Sequence, residues 1–112
     1  MASTTAKIGG AELTLTNLDK IMYPATGFTK GQVIEYYKNI APYILPHIDG
    51  RPITMKRYPN GVAGQHFYEK DAPWHTPPWV ERFQIPRTSE KSLINYILIN
   101  DAASLVWSAN LA

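Results

Sequence analysis

Lysines beside a helix start, and two adjacent aromatics beside further cations, are the side chains of this sequence with chemistry to offer. Lys20 and Lys30 flank a Tyr23-Pro24 loop and the start of a helix opened by Thr29. An ammonium is a compact point charge suited to a phosphate. A helix N-terminus adds free N–H groups and the positive end of its dipole, so a lysine there helps to build an anion site. The plain alternative is a pair of surface lysines. Further on, Lys56 and Arg57 precede a Pro59-Asn60-Gly61 turn, and Phe67-Tyr68 lead into Glu69-Lys70. On a strand, Phe67 and Tyr68 point to opposite faces, so at most one is core. The outward ring can stack on a base. Arg51, Lys56, Arg57 and Lys70 stand against one acid, Glu69, over this stretch. Such a local excess meets a phosphate backbone, or is a solvated strand face. Phosphate grips and stacking faces together point to nucleic acid.

Metal chemistry is harder to find. Two-metal nucleotidyl transfer needs carboxylates that share a site, for which alternate strand residues are suited. The nine acids contain no Asp-x-Asp, and the nearest pair is Glu69 and Asp71 around Lys70. Ala72-Pro73 follows at once and should break a strand there. His47, His66 and His75 lack ligand-like spacing, and the absence of cysteine excludes disulfides, thiolate zinc sites and cysteine nucleophiles. Seven scattered glycines make no Walker loop. No residue is therefore assigned as catalytic or as a metal ligand.

The elements that must position these side chains can be read from spacing. A chain of 112 residues, 45% hydrophobic, suits one domain. Residues 1–12 are small and polar and read as a flexible tail. Leu13 and Leu15 alternate with threonines as a short strand, and Asn17-Leu18-Asp19 reads as a turn or helical start. Thr29 is a good N-cap, followed by Val33, Tyr36, Tyr37, Ile40, Ala41 and Ile44 at helical spacing. Pro42 should kink or end that helix. Ile53–Tyr58 reads as one strand, His66–Lys70 as a shorter one, and Asp71–Pro78 as irregular. Val80–Ile85 is a further strand and Ser89–Lys91 a polar turn. Ile94–Ile99 is apolar on both faces and belongs inside a sheet. Asp101 caps a helix from Ala102 to Ala112 carrying Leu105, Val106, Trp107 and Leu111. The fold class is α+β, with short strands in a mixed sheet and two main helices, and residues 13–112 form one unit. No apolar stretch reaches the length of a signal peptide or membrane span, which fits a cytoplasmic protein with no membrane partner. The net charge of +2 says little by itself about partners.

From Leu13 to Ala112 the sequence resembles the polymerase domain of bacterial DNA ligase D, in the archaeo-eukaryotic primase superfamily. The likeness is carried by Asn17-Leu-Asp-Lys20, Thr29-Lys30-Gly31, Arg51–Gly61 and His66-Phe-Tyr-Glu-Lys70. It implies an N-terminal portion of a primase-polymerase fold, with the catalytic aspartates downstream of Ala112. It implies that Lys20 and Lys30 hold the 5′-phosphate at a gap or break. Phe67 and Tyr68 would contact the template strand, with Tyr68 standing where phenylalanine is common. Lys56, Arg57 and Lys70 would face the groove for template or nucleotide. The complete domain would add nucleotides at broken or gapped DNA ends during non-homologous end joining, using Mg or Mn and a nucleoside triphosphate. Its partners would be the ligase and a Ku-type end-binding protein. By this reading the chain alone has no polymerase activity.

Three other readings stay open. A stand-alone, non-enzymatic DNA-end-binding module would use the same lysines. An inactive truncated product would leave the faces of Ile94–Ile99 and Leu105–Trp107 exposed. A carbohydrate-binding module would use the seven Tyr, three Trp and three Phe, but Trp74 and Trp79 lie in a proline-rich loop and Trp107 in an apolar helix.

Overall fold

A run of β-formers on each side of Gly9-Gly10 makes the first hairpin. The computed structural model describes residues 3–86 and 93–111. In it β1 (Ser3–Ile8) pairs antiparallel with β2 (Ala11–Thr16), from Ser3 opposite Thr16 to Ile8 opposite Ala11. Gly9 and Gly10 have φ of +56° and +87°, the left-handed pair that a tight two-residue hairpin turn requires. Ser3–Ile8 is therefore a strand where the sequence reading placed a tail. Ala6 and Ile8 pack against the core, and Leu13 and Leu15 are buried in it.

A second, smaller hairpin follows, β3 (Ile21–Tyr23) with β4 (Phe28–Thr29), around the expected Tyr-Pro loop. It feeds α1 (Lys30–Ile48). Thr29 caps α1 with a reciprocal box. Its Oγ1 accepts from the Gln32 N–H at 3.2 Å, and the Gln32 side chain accepts from the Thr29 N–H at 2.8 Å. The helix does not end at Pro42 but runs through Pro42 and Pro46. Both prolines are exposed, so the carbonyls that lose an N–H partner face water, and the neighbouring bonds carry the helix on. The inward face is Ile34, Tyr37, Ala41, Ile44, Leu45 and Ile48. Tyr36, expected on that face, is 55% exposed.

The expected strand at 53–58 splits at Thr54. β5 (Pro52–Ile53) joins β9 (Leu93–Leu98), while β6 (Met55–Arg57) pairs with β7 (Phe67–Glu69). β8 (Arg82–Pro86) lies on the other side of β9, so β9 is the middle strand of its sheet, as its apolar faces predict. All pairings among the described residues are antiparallel, and they make four small sheets where one mixed sheet was expected. The turn expected at Ser89–Lys91 lies outside the described residues.

α2 (Ala102–Asn110) is capped by Asp101, whose carboxylate accepts from the Ser104 N–H at 2.8 Å. Ala103 to Trp107 are all buried, and Val106 is 0% exposed. α2 packs on α1 and β2. Asn110 fastens its end to β2: Oδ1 accepts from the Thr16 N–H and Nδ2 donates to the Thr14 carbonyl, each at 3.0 Å. Ile94, Ile97, Ile99 and Leu105–Trp107 are buried within the described residues.

Candidate nucleic-acid interface

The loop at 17–20 folds onto the start of α1. The Lys30 N–H donates to the Lys20 carbonyl and the Gly31 N–H to the Leu18 carbonyl, both at 2.8 Å. With Gln32 held by Thr29, the first three N–H groups of α1 are satisfied by the chain itself. The free N–H groups expected at this helix start are thus already used, and an anion here would be held by side chains. Gly31 permits the approach, since a Cβ there would stand 3.1 Å from the Leu18 carbonyl oxygen. The result is that the backbones of the two motif lysines are joined.

Their side chains differ. Lys30 is only 1% exposed, and its Nζ lies 3.4 Å from Thr16 Oγ1, a long bond. Among the described residues no carboxylate pairs with it. Burial, followed by the positive charges of Lys20 and Arg57, lowers its pKa to about 8. Lys30 borders a cleft of about 440 Å³ with Thr14, Thr16, Asn17, His75 and Asn110. A buried cation without a counter-charge is unfavourable, and an anion entering the cleft relieves it. Lys20 stays partly exposed and borders a neighbouring cleft with Asn17, Leu18 and Asp19. Asn17 borders both clefts and has φ of +55°. Asparagine is among the few residues that adopt this conformation routinely. Sequence reasoning treated Asn17 as turn chemistry and passed over Thr16, His75 and Asn110, which reach the cleft only through tertiary packing.

The β6–β7 ribbon sorts the remaining residues onto two faces. Lys56 lies opposite Tyr68, and Arg57 opposite Phe67. On the first face, Lys56 Nζ stands 5.5 Å from the Tyr58 ring centre and 5.7 Å from that of Tyr68. The His66 ring completes the group, 5.4 Å from Tyr58 and 5.7 Å from Tyr68. Hydrogen bonding to Tyr58, helped by the charges of Tyr58 and Tyr68, raises the Lys56 pKa, so this exposed ammonium stays charged. Neither aromatic of the pair is core: Phe67 is 42% and Tyr68 62% exposed. Lys70 is exposed at the end of the ribbon.

Arg57, expected to face the groove or to pair with Glu69 or Asp71, makes the Glu69 pair. Its Nη1 donates to Glu69 Oε1 at 3.0 Å, its Nη2 to the Leu111 carbonyl at 2.6 Å, and its guanidinium lies 5.1 Å from the Phe67 ring centre. It straps the ribbon to the end of α2, where Leu111 also borders the Lys30 cleft. Arg57→Ala should lower the unfolding free energy by about 2 kcal/mol, because it removes two charge-assisted bonds from a partly buried site. Urea unfolding checks this, and a change within about 0.5 kcal/mol would show a merely peripheral arginine.

The acids offer little to a metal. Glu69 is taken by Arg57, and Asp71 accepts from the Asn95 N–H at 2.9 Å. Among the described residues no three His, Asp or Glu side chains form a group able to hold an ion. The donor set among the described residues does not fit the Mg or Mn of a nucleotidyl transferase. His66 and His75 belong to the two assemblies above, and His47 is exposed near the end of α1.

Comparison with known proteins gives these positions a context. The family model for the LigD primase-polymerase domain matches residues 29–112. The chain is 48% identical over 98 residues to the multifunctional non-homologous end joining protein LigD of Mycolicibacterium smegmatis, covering 88% of this chain and 13% of that protein. It is 30% identical over 99 residues to the bifunctional non-homologous end joining protein LigD of Bacillus subtilis, covering 88% of this chain and 15% of that one. The polymerase domain from Mycobacterium tuberculosis ligase D, solved in complex with DNA, superimposes with a TM-score of 0.82 at 43% identity, over 88% of this chain and 33% of that chain. The chain thus spans a small part of the length of these curated relatives and a third of that polymerase domain.

Proposed function

The chain belongs to the LigD primase-polymerase domain family, a family of non-homologous end joining DNA repair, and from that premise we propose that it supplies the DNA-end contacts of such a polymerase. The Lys20 and Lys30 clefts take the 5′-phosphate at a gap or break. Lys56, Phe67, Tyr68 and Lys70 contact the template strand, and Arg57 holds the ribbon in place for them. The observation that carries this reading is Lys30, a buried cation that has no carboxylate partner among the described residues and borders a cleft beside a second lysine.

In the complete domain, residues outside positions 1–112 would supply the carboxylates for Mg or Mn and the contacts to a nucleoside triphosphate. No step of nucleotide addition is assigned to residues of this chain. The ligase and a Ku-type end-binding protein are the partners by family, in the cytoplasm. The same contacts would serve a stand-alone end-binding module, and the burial of Ile97 and Val106 within the chain favours a unit able to hold its own fold.

The test is anisotropy titration of gapped duplexes with and without a 5′-phosphate, at pH 7 and pH 9. At pH 7 the phosphate should raise affinity about 100-fold. A bound phosphate favours the Lys30 ammonium, so binding takes up a proton once the free lysine begins to lose its own. With a free pKa of about 8, the gain should shrink as pH rises through that value, by at most about tenfold per pH unit. Equal affinity for the two duplexes at pH 7 would overturn the reading.

A further inference from the structure

We propose that Trp74 is a stacking platform for the base of the nucleotide whose 5′-phosphate enters the Lys30 cleft. This rests on the phosphate reading above and extends it to a residue outside both lysine motifs. Trp74 is 96% exposed, an unusual position for so large an apolar ring. The loop that carries it is well braced. Thr76 donates twice to the Pro73 carbonyl, from Oγ1 at 2.6 Å and from its N–H at 3.0 Å. Arg82 Nη2 donates to the carbonyls of Thr76 and Pro77 at 2.8 and 3.1 Å. The Val80 N–H donates to the Pro77 carbonyl, and Thr76 and Val80 are both buried. Pro73, Pro77 and Pro78 restrict the backbone further. The backbone that carries the indole is therefore braced, which limits the ordering of the loop left to be done on binding.

Its neighbour places it at the cleft. The His75 ring meets Trp74 edge-on, with centres 5.5 Å apart, and lies 6.4 Å from Trp107. His75 and Trp107 both border the cleft that contains Lys30. Trp74 thus stands one ring away from the cleft wall. A nucleotide with its terminal phosphate in the cleft carries its base outward, and an indole face accepts any base without sequence preference. An exposed tryptophan can also wait for another polypeptide, and the test separates that occupant from DNA.

The experiment uses the 112-residue chain and a gapped duplex carrying 2-aminopurine at the 5′-phosphorylated nucleotide, with an unphosphorylated control. Trp74→Ala should weaken binding about tenfold and restore 2-aminopurine fluorescence, while Trp74→Phe stays within about threefold. The 5′-phosphate gain should persist in Trp74→Ala, since the lysines are untouched. If Trp74→Ala binds and quenches as the unsubstituted chain does while the phosphate gain persists, the stacking role fails and the phosphate reading stands. If the unsubstituted chain shows no phosphate gain, both fail. Trp74 makes no core contact, so circular dichroism of the variants should match the parent.

Discussion

A chain carrying Lys20→Ala and Lys30→Met together should bind a 5′-phosphorylated gapped duplex about 100-fold more weakly, and the unphosphorylated duplex nearly as before. On the proposed reading each lysine would supply one charge-assisted contact to the same phosphate, on the order of 1.5 kcal/mol or more. Methionine at position 30 keeps most of the aliphatic bulk in a site that is 1% exposed, so loss of binding is not loss of packing. It also removes an unpaired buried charge, and the variant should be at least as stable as its parent. The sign follows from the lowered pKa. Below about pH 8 the folded chain carries a proton it disfavours, so stability should rise from there toward the ordinary lysine pKa of 10.5. The methionine variant should lack that rise. An equal loss on both duplexes would make the lysines general backbone contacts. No loss on either would place the phosphate elsewhere.

Tyr68→Ala should weaken binding to a gapped duplex with an exposed template by about tenfold or more, and Tyr68→Phe should leave it nearly unchanged. One base stacked on an aromatic ring is worth roughly 1–3 kcal/mol. Tyr68 is the cleaner probe of the pair because it stands 62% exposed opposite Lys56. Phe67 carries the Arg57 guanidinium over its ring, so Phe67→Ala also loosens the strap to Leu111 and mixes stability with binding. Combining Tyr68→Ala with Lys56→Met should additionally lower the salt dependence, by about one counterion for the lost ammonium. Measuring Kd across a salt series separates the two contributions. A Tyr68→Ala chain that binds the exposed template as tightly as its parent would remove the ribbon from the DNA path.

Much of this arrangement is legible in residue order, because it rests on local rules. The Thr29 cap, the Asp101 cap, the two-faced Phe67-Tyr68 pair and the inner position of β9 follow from capping, strand alternation and apolar runs. The first hairpin is legible too: Gly9-Gly10 between β-formers is a hairpin signal, although the small polar residues around it predict a tail. Other features depend on packing that no short window contains. Pro42 ends a helix in isolation, yet here it sits on the exposed side of a helix whose other face is held by the core. Ile53 and Met55 alternate as one strand would, but the chain changes sheets between them. At the site, the lysine motifs were visible, and the consequence of Gly31 was not. Its missing Cβ lets the loop at 17–20 satisfy the helix start, so the backbone N–H groups expected to meet an anion are already used. His75 is brought to the cleft, with Trp74 against its outer side, by a proline-rich loop whose path only the fold reveals.

The most direct measurement is the titration of the Lys30 ammonium by nitrogen-15 NMR, in the free chain and with gapped duplex bearing or lacking the 5′-phosphate. The expected midpoint is about 8 in the free chain, moving up toward 10.5 with the phosphorylated duplex and staying in place with the other. A midpoint unmoved by the phosphorylated duplex would contradict the assignment of this cleft to the DNA end.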